Sequence, residues 1–200
     1  AATPGGTIIS GSRRLTGFTA VTNPSVLARL PTEAQGKVMQ CSLSALGIAD
    51  YASDLCVNGV KQTLARWPNQ GFVPIAWVSD NGWPDRPQTF VYHGNRPSRW
   101  TTAPDAWLHG YFHGSAYDDR VAIGSINPPA GSITTATCVR TWTGWPEMNS
   151  GAPYRAYNLL EEMDLPGEWY LDRTSNIVYW YPTADAGTAT VEISVLSAPM

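Results

Sequence analysis

Glu168-Trp169-Tyr170-Leu171-Asp172 and Ile177-Val178-Tyr179-Trp180-Tyr181 stand on either side of Arg173-Thr174-Ser175-Asn176, a four-residue polar turn between two aromatic runs. That pattern predicts two antiparallel strands in a hairpin. Trp169 and Trp180 can then pair across the strands, which favours core packing for both. Working outward, residues 188–196 alternate Ala189, Val191, Ile193 and Val195 with Thr190, Glu192 and Ser194, as a strand with one buried face does. Upstream, Leu55-Cys56-Val57 and Val60-Lys61-Gln62 flank Asn58-Gly59, a dipeptide that accepts positive φ at both central positions of a hairpin turn. Residues 37–43 alternate in the same way, and residues 7–10, 14–18, 72–78 and 89–93 are further short β-prone runs. Residues 121–126 and 132–140 form another predicted hairpin around Asn127-Pro128-Pro129-Ala130-Gly131.

Helix is confined to short turns at residues 25–30 and 159–163. Between residues 65 and 99, Trp67-Pro68-Asn69, Asn81-Gly82-Trp83-Pro84 and Asn95-Arg96-Pro97 predict a loop-rich stretch, because each X-Pro step pushes its predecessor out of the helical region. The chain reads as all-β, and its 200 residues with 43% hydrophobic content suit a single domain over 1–200. With 18 Gly, 16 Pro and only 14% charged residues, composition also favours strands and turns over long helices. Thirteen Lys plus Arg against sixteen Asp plus Glu give a net charge of −3, which argues against a nucleic-acid partner. No apolar run approaches the length of a membrane span, and residues 1–6 carry no signal-peptide pattern. A soluble, secreted or periplasmic protein whose export signal has been removed is the expectation, with no membrane contact. Cys41 and Cys56 could bridge in such a setting, or stay free; with Cys138, at least one of the three cysteines is unpaired.

Several segments in fixed order carry a family resemblance: Gly36-Lys37-Val38 leading to Leu46-Gly47-Ile48, residues 55–59, Ala65-Arg66-Trp67-Pro68-Asn69 and residues 105–112. The most specific is Asn158-Leu159-Leu160-Glu161-Glu162-Met163-Asp164-Leu165-Pro166-Gly167-Glu168-Trp169-Tyr170-Leu171-Asp172, followed by Val178-Tyr179-Trp180-Tyr181-Pro182. Their order and spacing resemble a β-sandwich-like domain inserted near the start of bacterial right-handed parallel β-helix proteins. Many of those are polysaccharide-degrading enzymes, β-xylosidase-like and fucosidase-like glycoside hydrolases among them. The resemblance implies a β-sandwich-like fold with long aromatic-rich loops. It also implies a β-helix rung at residues 7–18, a return strand at 188–196, and an adjoining β-helix, as domain or chain, that supplies most or all of the catalytic carboxylates. A lone rung cannot bury its own face.

Glycoside hydrolysis needs two facing carboxyl groups, roughly 5–5.5 Å apart for retention and about 6.5–9.5 Å for inversion. Asp118-Asp119, Asp105 and the group Glu161, Glu162 and Asp164 are the candidates. Neighbouring carboxylates on a strand point to opposite faces, so the sequence favours a surface turn for the first pair and a solvated turn or local backbone hydrogen bonds for the last group. His109 and His113 are four apart, but Gly110 and Gly114 interrupt any helix and no glutamate follows the first histidine, so no metal is expected. There is no Gly-x-Ser-x-Gly elbow and no phosphate-binding glycine loop, and no cofactor is implied.

The remaining chemical signal is aromatic. Nine Trp and nine Tyr stand against four Phe, and rings with polar tips serve half-exposed platforms as well as cores. Trp83, Trp100, Trp107 and Tyr111 fall in the middle of the chain among Arg99, Asp105 and other polar residues, and Trp142 and Trp145 flank Gly144. These are the candidate contacts to a polysaccharide or oligosaccharide; the alternative for each is core packing or docking to a β-helix. Three functions follow: a non-catalytic, glycan-binding accessory domain, which is the leading reading; a fragment of a β-helix glycoside hydrolase; or a structural brace.

Overall fold

The computed structural model describes residues 11–48, 54–100, 103–114, 118–141 and 143–195. Strands β1 (Ser12–Leu15) and β2 (Thr19–Ala20) precede the one-and-a-half-turn helix α1 (Pro24–Arg29). Asn23 caps this helix by accepting from the Ser25 amide, and Pro24 supplies a pre-set first turn. Five short strands follow: β3 (Met39–Ser42), β4 (Leu55–Val57), β5 (Val60–Lys61), β6 (Thr63–Leu64) and β7 (Arg66–Trp67). Next come β8 (Val73–Asp80), β9 (Thr89–Tyr92), β10 (Trp107–Gly110), β11 (Asp119–Asn127) and β12 (Ser132–Thr135). The described chain ends with β13 (Pro153–Tyr157), β14 (Glu168–Asp172), β15 (Ile177–Trp180) and β16 (Val191–Ser194). No described helix is long and apolar enough to cross a membrane.

These strands build a sandwich and a barrel. In the sandwich, the sheet β1-β16-β4-β5 faces the sheet β2-β3-β15-β14-β6. Leu15, Leu55, Val57, Val191 and Ile193 of the first meet Cys41, Trp169, Leu171, Val178 and Trp180 of the second in one buried cluster. Trp169 lies opposite Trp180 in the β14–β15 hairpin, as the sequence predicts, and both are buried. Alternation sends Tyr170 and Tyr179 to the other face of that sheet, where Leu30, Val38, Leu160 and Met163 cover them. The central β14–β15 hairpin of the five-stranded sheet is therefore buried on both sides.

In the barrel, β10 pairs with both β11 and β13, so β10, β11, β12, β9, β8 and β13 form a closed ring, which leaves no open edge within it. β7 lies against the edge of β13 that β8 also uses. Ile75, Phe90, Leu108, Phe112, Val121, Ile133 and Tyr154 fill the ring with Trp100.

The Asn58-Gly59 hairpin forms as expected, with φ of 50° and 78° at its two turn residues. The stretch from 65 to 99 is more ordered than its prolines suggest: it holds β7, β8, β9 and a 3-10 helix over Arg96–Trp100. β1 and β16, from the two segments expected to border a β-helix, pair antiparallel with each other inside the sandwich, and residues 7–10 lie outside the described residues. All three cysteines are free.

Candidate functional site

β10, β11 and β13 run side by side in the barrel wall, and their register decides what the outer surface carries. Arg120 lies opposite His109, and His109 opposite Arg155. In the next row Ala122 faces Trp107, Trp107 faces Tyr157, and Tyr157 faces Arg66. Leu108, Val121, Tyr154 and Ala156 of the same strands point into the barrel, so by alternation both rows belong to the outside. A cleft of about 580 Å³ opens there, its remaining lining provided by Asp54 and by residues 61–64.

Within the first row, Arg155 donates from Nε to Nδ1 of His109 at 3.0 Å, and Nε2 of His109 meets the Asp118 carboxylate at 2.5 Å. An arginine is always a donor, so Nδ1 must be unprotonated and the ring proton sits on Nε2, aimed at Asp118. That hydrogen bond holds the Asp118 carboxyl below the usual carboxylate range. The guanidinium of Arg155 also lies over the Phe72 ring, 4.9 Å from its centroid, and Phe72 makes edge contacts with His109 and Tyr111. Burial, then repulsion from Arg66 and Arg120, draws Arg155 below the ordinary guanidinium value. Both nitrogens of His109 are thus engaged. The row presents a fixed cationic surface rather than a free acid–base pair.

A second feature is apolar. Trp83 and Trp145 are 51% and 57% exposed, and their rings stack with centroids 5.1 Å apart and planes 12° from parallel. The two loops that carry them are joined by an Arg140–Asp85 ion pair. Arg86 bonds the Trp83 carbonyl and the Asp80 carboxylate, while Thr141 Oγ1 accepts from the Trp145 amide. The ledge is positioned by these bonds. Trp77, on β8, is a further exposed indole that the sequence reading did not single out.

The acidic cluster departs from expectation. Glu161 and Glu162 are buried, not solvated: Glu161 pairs with Arg29 of α1 at 2.7 Å, and Glu162 binds Arg96 through both carboxylate oxygens. Glu162 also accepts from Nε1 of Trp100 at 2.6 Å, and Asp164 accepts from Arg96 and Asn69. Glu162, so committed, ties the segment before β14 to Trp100 of the barrel core, while Glu161 ties the same segment to α1. Glu168 accepts from the backbone amides of Asp164 and Leu165, and burial pushes its carboxyl up to about 7.

The predicted contact residues therefore separate. Trp83 and Trp145 come together on the surface. Trp107 and Tyr111 are half-buried on β10 and just beyond it, with Trp107 Nε1 donating to Asp105. Asp105 is further held by Asn158 and paired with Arg173. Arg99 is exposed and binds the Glu161 carbonyl. Trp100 is corrected: at 1% exposure it is a core residue and offers no ring face to a ligand. Trp142 lies outside the described residues. Sequence reasoning missed Arg66, Arg120, Arg155 and Tyr157, although the alternation Tyr154-Arg155-Ala156-Tyr157 carries the signal of a strand with one polar face. Among the described residues no group of three or more His, Cys, Asp or Glu is placed to hold a metal ion.

No protein-family model matches the chain, and no curated protein matches it. Among solved structures it is similar to a glycoside hydrolase, at a TM-score of 0.68 and 18% identity, over 94% of this chain and 32% of that one. The likeness is one of fold, and the chain spans about a third of the length of that protein.

Proposed function

We propose that the chain is a non-catalytic, glycan-contacting domain of a polysaccharide-degrading protein. The observation that carries this reading is the Trp83–Trp145 ledge, two exposed indoles from separate loops held parallel at the surface. Pyranose rings present flat C–H faces that stack on such rings, while neighbouring polar groups satisfy the hydroxyls. The fold shared with a glycoside hydrolase supports the same class of ligand. Trp107 and Tyr111, half-buried beside the cleft, are secondary contacts in this proposal. The reading brings with it a secreted or periplasmic location and a β-helix neighbour.

The share of the longer glycoside hydrolase that this fold occupies favours a second reading. In it, the domain forms one wall of a hydrolase site whose catalytic carboxylates lie outside this chain. Affinity electrophoresis of the chain through xylan, arabinan, pectin, fucosylated glycans and cellulose tests the first. Retardation on at least one glycan, lost in Trp83→Ala and Trp145→Ala, is expected; unchanged mobility on all of them removes it. Reducing-sugar release that disappears in Asp118→Asn would overturn the non-catalytic assignment.

A further inference from the structure

The cleft on the barrel wall has an electrostatic character that the chain as a whole does not. With a net charge of −3, the protein nevertheless lines this opening with Lys61, Arg66, Arg120 and Arg155 against Asp54, and the Asp118 carboxylate on His109 is a further anion beside it. Lys61 is paired with Asp54. Among the described residues none of the three arginines has a carboxylate within ion-pair distance, as Arg29, Arg86, Arg96, Arg140 and Arg173 do, although Asp118 interacts with Arg120 at longer range; Arg13, Arg14 and Arg99 also have no ion pair but do not line the cleft. The three are brought together by strand register, Arg120 and Arg155 flanking His109 in one row and Arg66 beside Tyr157 in the next.

Like charges held at a shared cleft repel, and repulsion that Asp54 and Asp118 offset only in part marks a place where an anion gains most. Two of the three guanidiniums are also fixed in advance. Arg66 is held by Nε and Nη2 on the Asn69 carbonyl, which leaves its Nη1 outside that bond. Arg155 is held by Nε on His109 and by its seat over Phe72, which leaves both terminal nitrogens for a ligand. Pre-set donors lose little freedom when they bind. Planar guanidinium groups match a carboxylate in a two-point geometry. Tyr157, half-buried between Arg155 and Arg66 along the surface, adds a ring. At about 580 Å³ the cleft falls within the size range of small-ligand sites.

We infer that this cleft binds a carboxylate-bearing saccharide, a uronate, with the acid group among Arg66, Arg120 and Arg155 and the sugar ring against Tyr157. The inference rests on the carbohydrate reading for the choice of a sugar as the carrier of the anion; the cationic site itself does not involve Trp83 or Trp145. It predicts a preference for acidic over neutral forms of the same glycan, and affinity that falls as salt rises.

The test is calorimetric titration of the whole chain with trigalacturonate, with its fully methyl-esterified form, and with inorganic phosphate. Trigalacturonate should bind at least about tenfold more tightly than the ester, the size of effect expected for one charge-assisted contact group. Arg120→Gln, at an exposed position, and Arg155→Gln should each weaken it by about tenfold. Equal binding of acid and ester, or full affinity in Arg120→Gln and Arg155→Gln, overturns the inference while the ledge proposal stands if that binding needs Trp83 and Trp145. Phosphate binding as tight as trigalacturonate overturns the saccharide assignment of the cleft. No binding of any glycan, acidic or neutral, removes both proposals together.

Discussion

Glu168→Gln separates a buried titrating carboxyl from the hydrogen bonds it makes. Glu168 is only 3% exposed, its Oε2 accepts from the Asp164 and Leu165 amides at 2.8 and 2.9 Å, and Glu162 and Asp164 add negative charge nearby. Burial, the largest influence, lifts its carboxyl from an ordinary 4.5 to about 7. Because the folded state then holds this proton more tightly than the unfolded chain does, the stabilisation is complete below about pH 4.5 and is lost as pH rises towards 7. A rise of that size corresponds to about 3 kcal/mol, at roughly 1.4 kcal/mol per tenfold change in proton affinity. Glutamine keeps a carbonyl oxygen for the two amides and removes the titration. Urea unfolding of both proteins, followed by tryptophan fluorescence from pH 5 to 8, should show Glu168→Gln gaining roughly 2–3 kcal/mol on the parent across that range. A constant offset, or a parent that gains on the variant as pH rises, would refute the reasoning.

Glu162→Ala should cost about 3 kcal/mol or more by the same unfolding assay, since it strands the buried Nε1 of Trp100 and takes from Arg96 its main partner. Gly82→Ala should lower stability by at least about 1–2 kcal/mol, because φ there is +77° and the new Cβ would lie 2.3 Å from the Arg86 carbonyl oxygen. The same change should weaken glycan retardation in gels, as Gly82 sets the turn that presents Trp83. Trp83→Ala and Trp145→Ala, in contrast, should leave the free energy of unfolding within about 0.5 kcal/mol of the parent, as expected for exposed positions outside the core.

The sandwich was far more legible in the sequence than the barrel wall, for physical reasons. β14 and β15 announce themselves through two aromatic runs about one short turn, and β4 with β5 through the positive-φ preference of Asn58-Gly59. Such local chemistry needs no knowledge of partners. β10 is four residues ending in glycine, and β13 begins with proline and offers only the four-residue alternation 154–157, so neither announces its partner; their pairing spans about 46 residues. The cleft that depends on that pairing was invisible for the same reason. Glu161 and Glu162 look like a solvated turn because the arginines that neutralise them lie 132 and 66 residues away. Trp100 followed a Pro-containing segment that suggested a loop, yet the segment folds as a 3-10 helix with Pro97 and Trp100 turned inward. Trp83 and Trp145 each read as exposed-ring candidates in the sequence; that they stack on each other is set by how the fold brings together their two loops, distant in the chain and joined by the Arg140–Asp85 ion pair.

Hydroxyl-radical footprinting read by mass spectrometry, with and without the glycan that most retards the chain in a gel, addresses the ledge itself. Trp83 and Trp145 should lose most of their oxidation when the glycan is present, while Trp77 keeps its own. Retardation with Trp83 and Trp145 still fully reactive would place the ligand elsewhere and contradict the account.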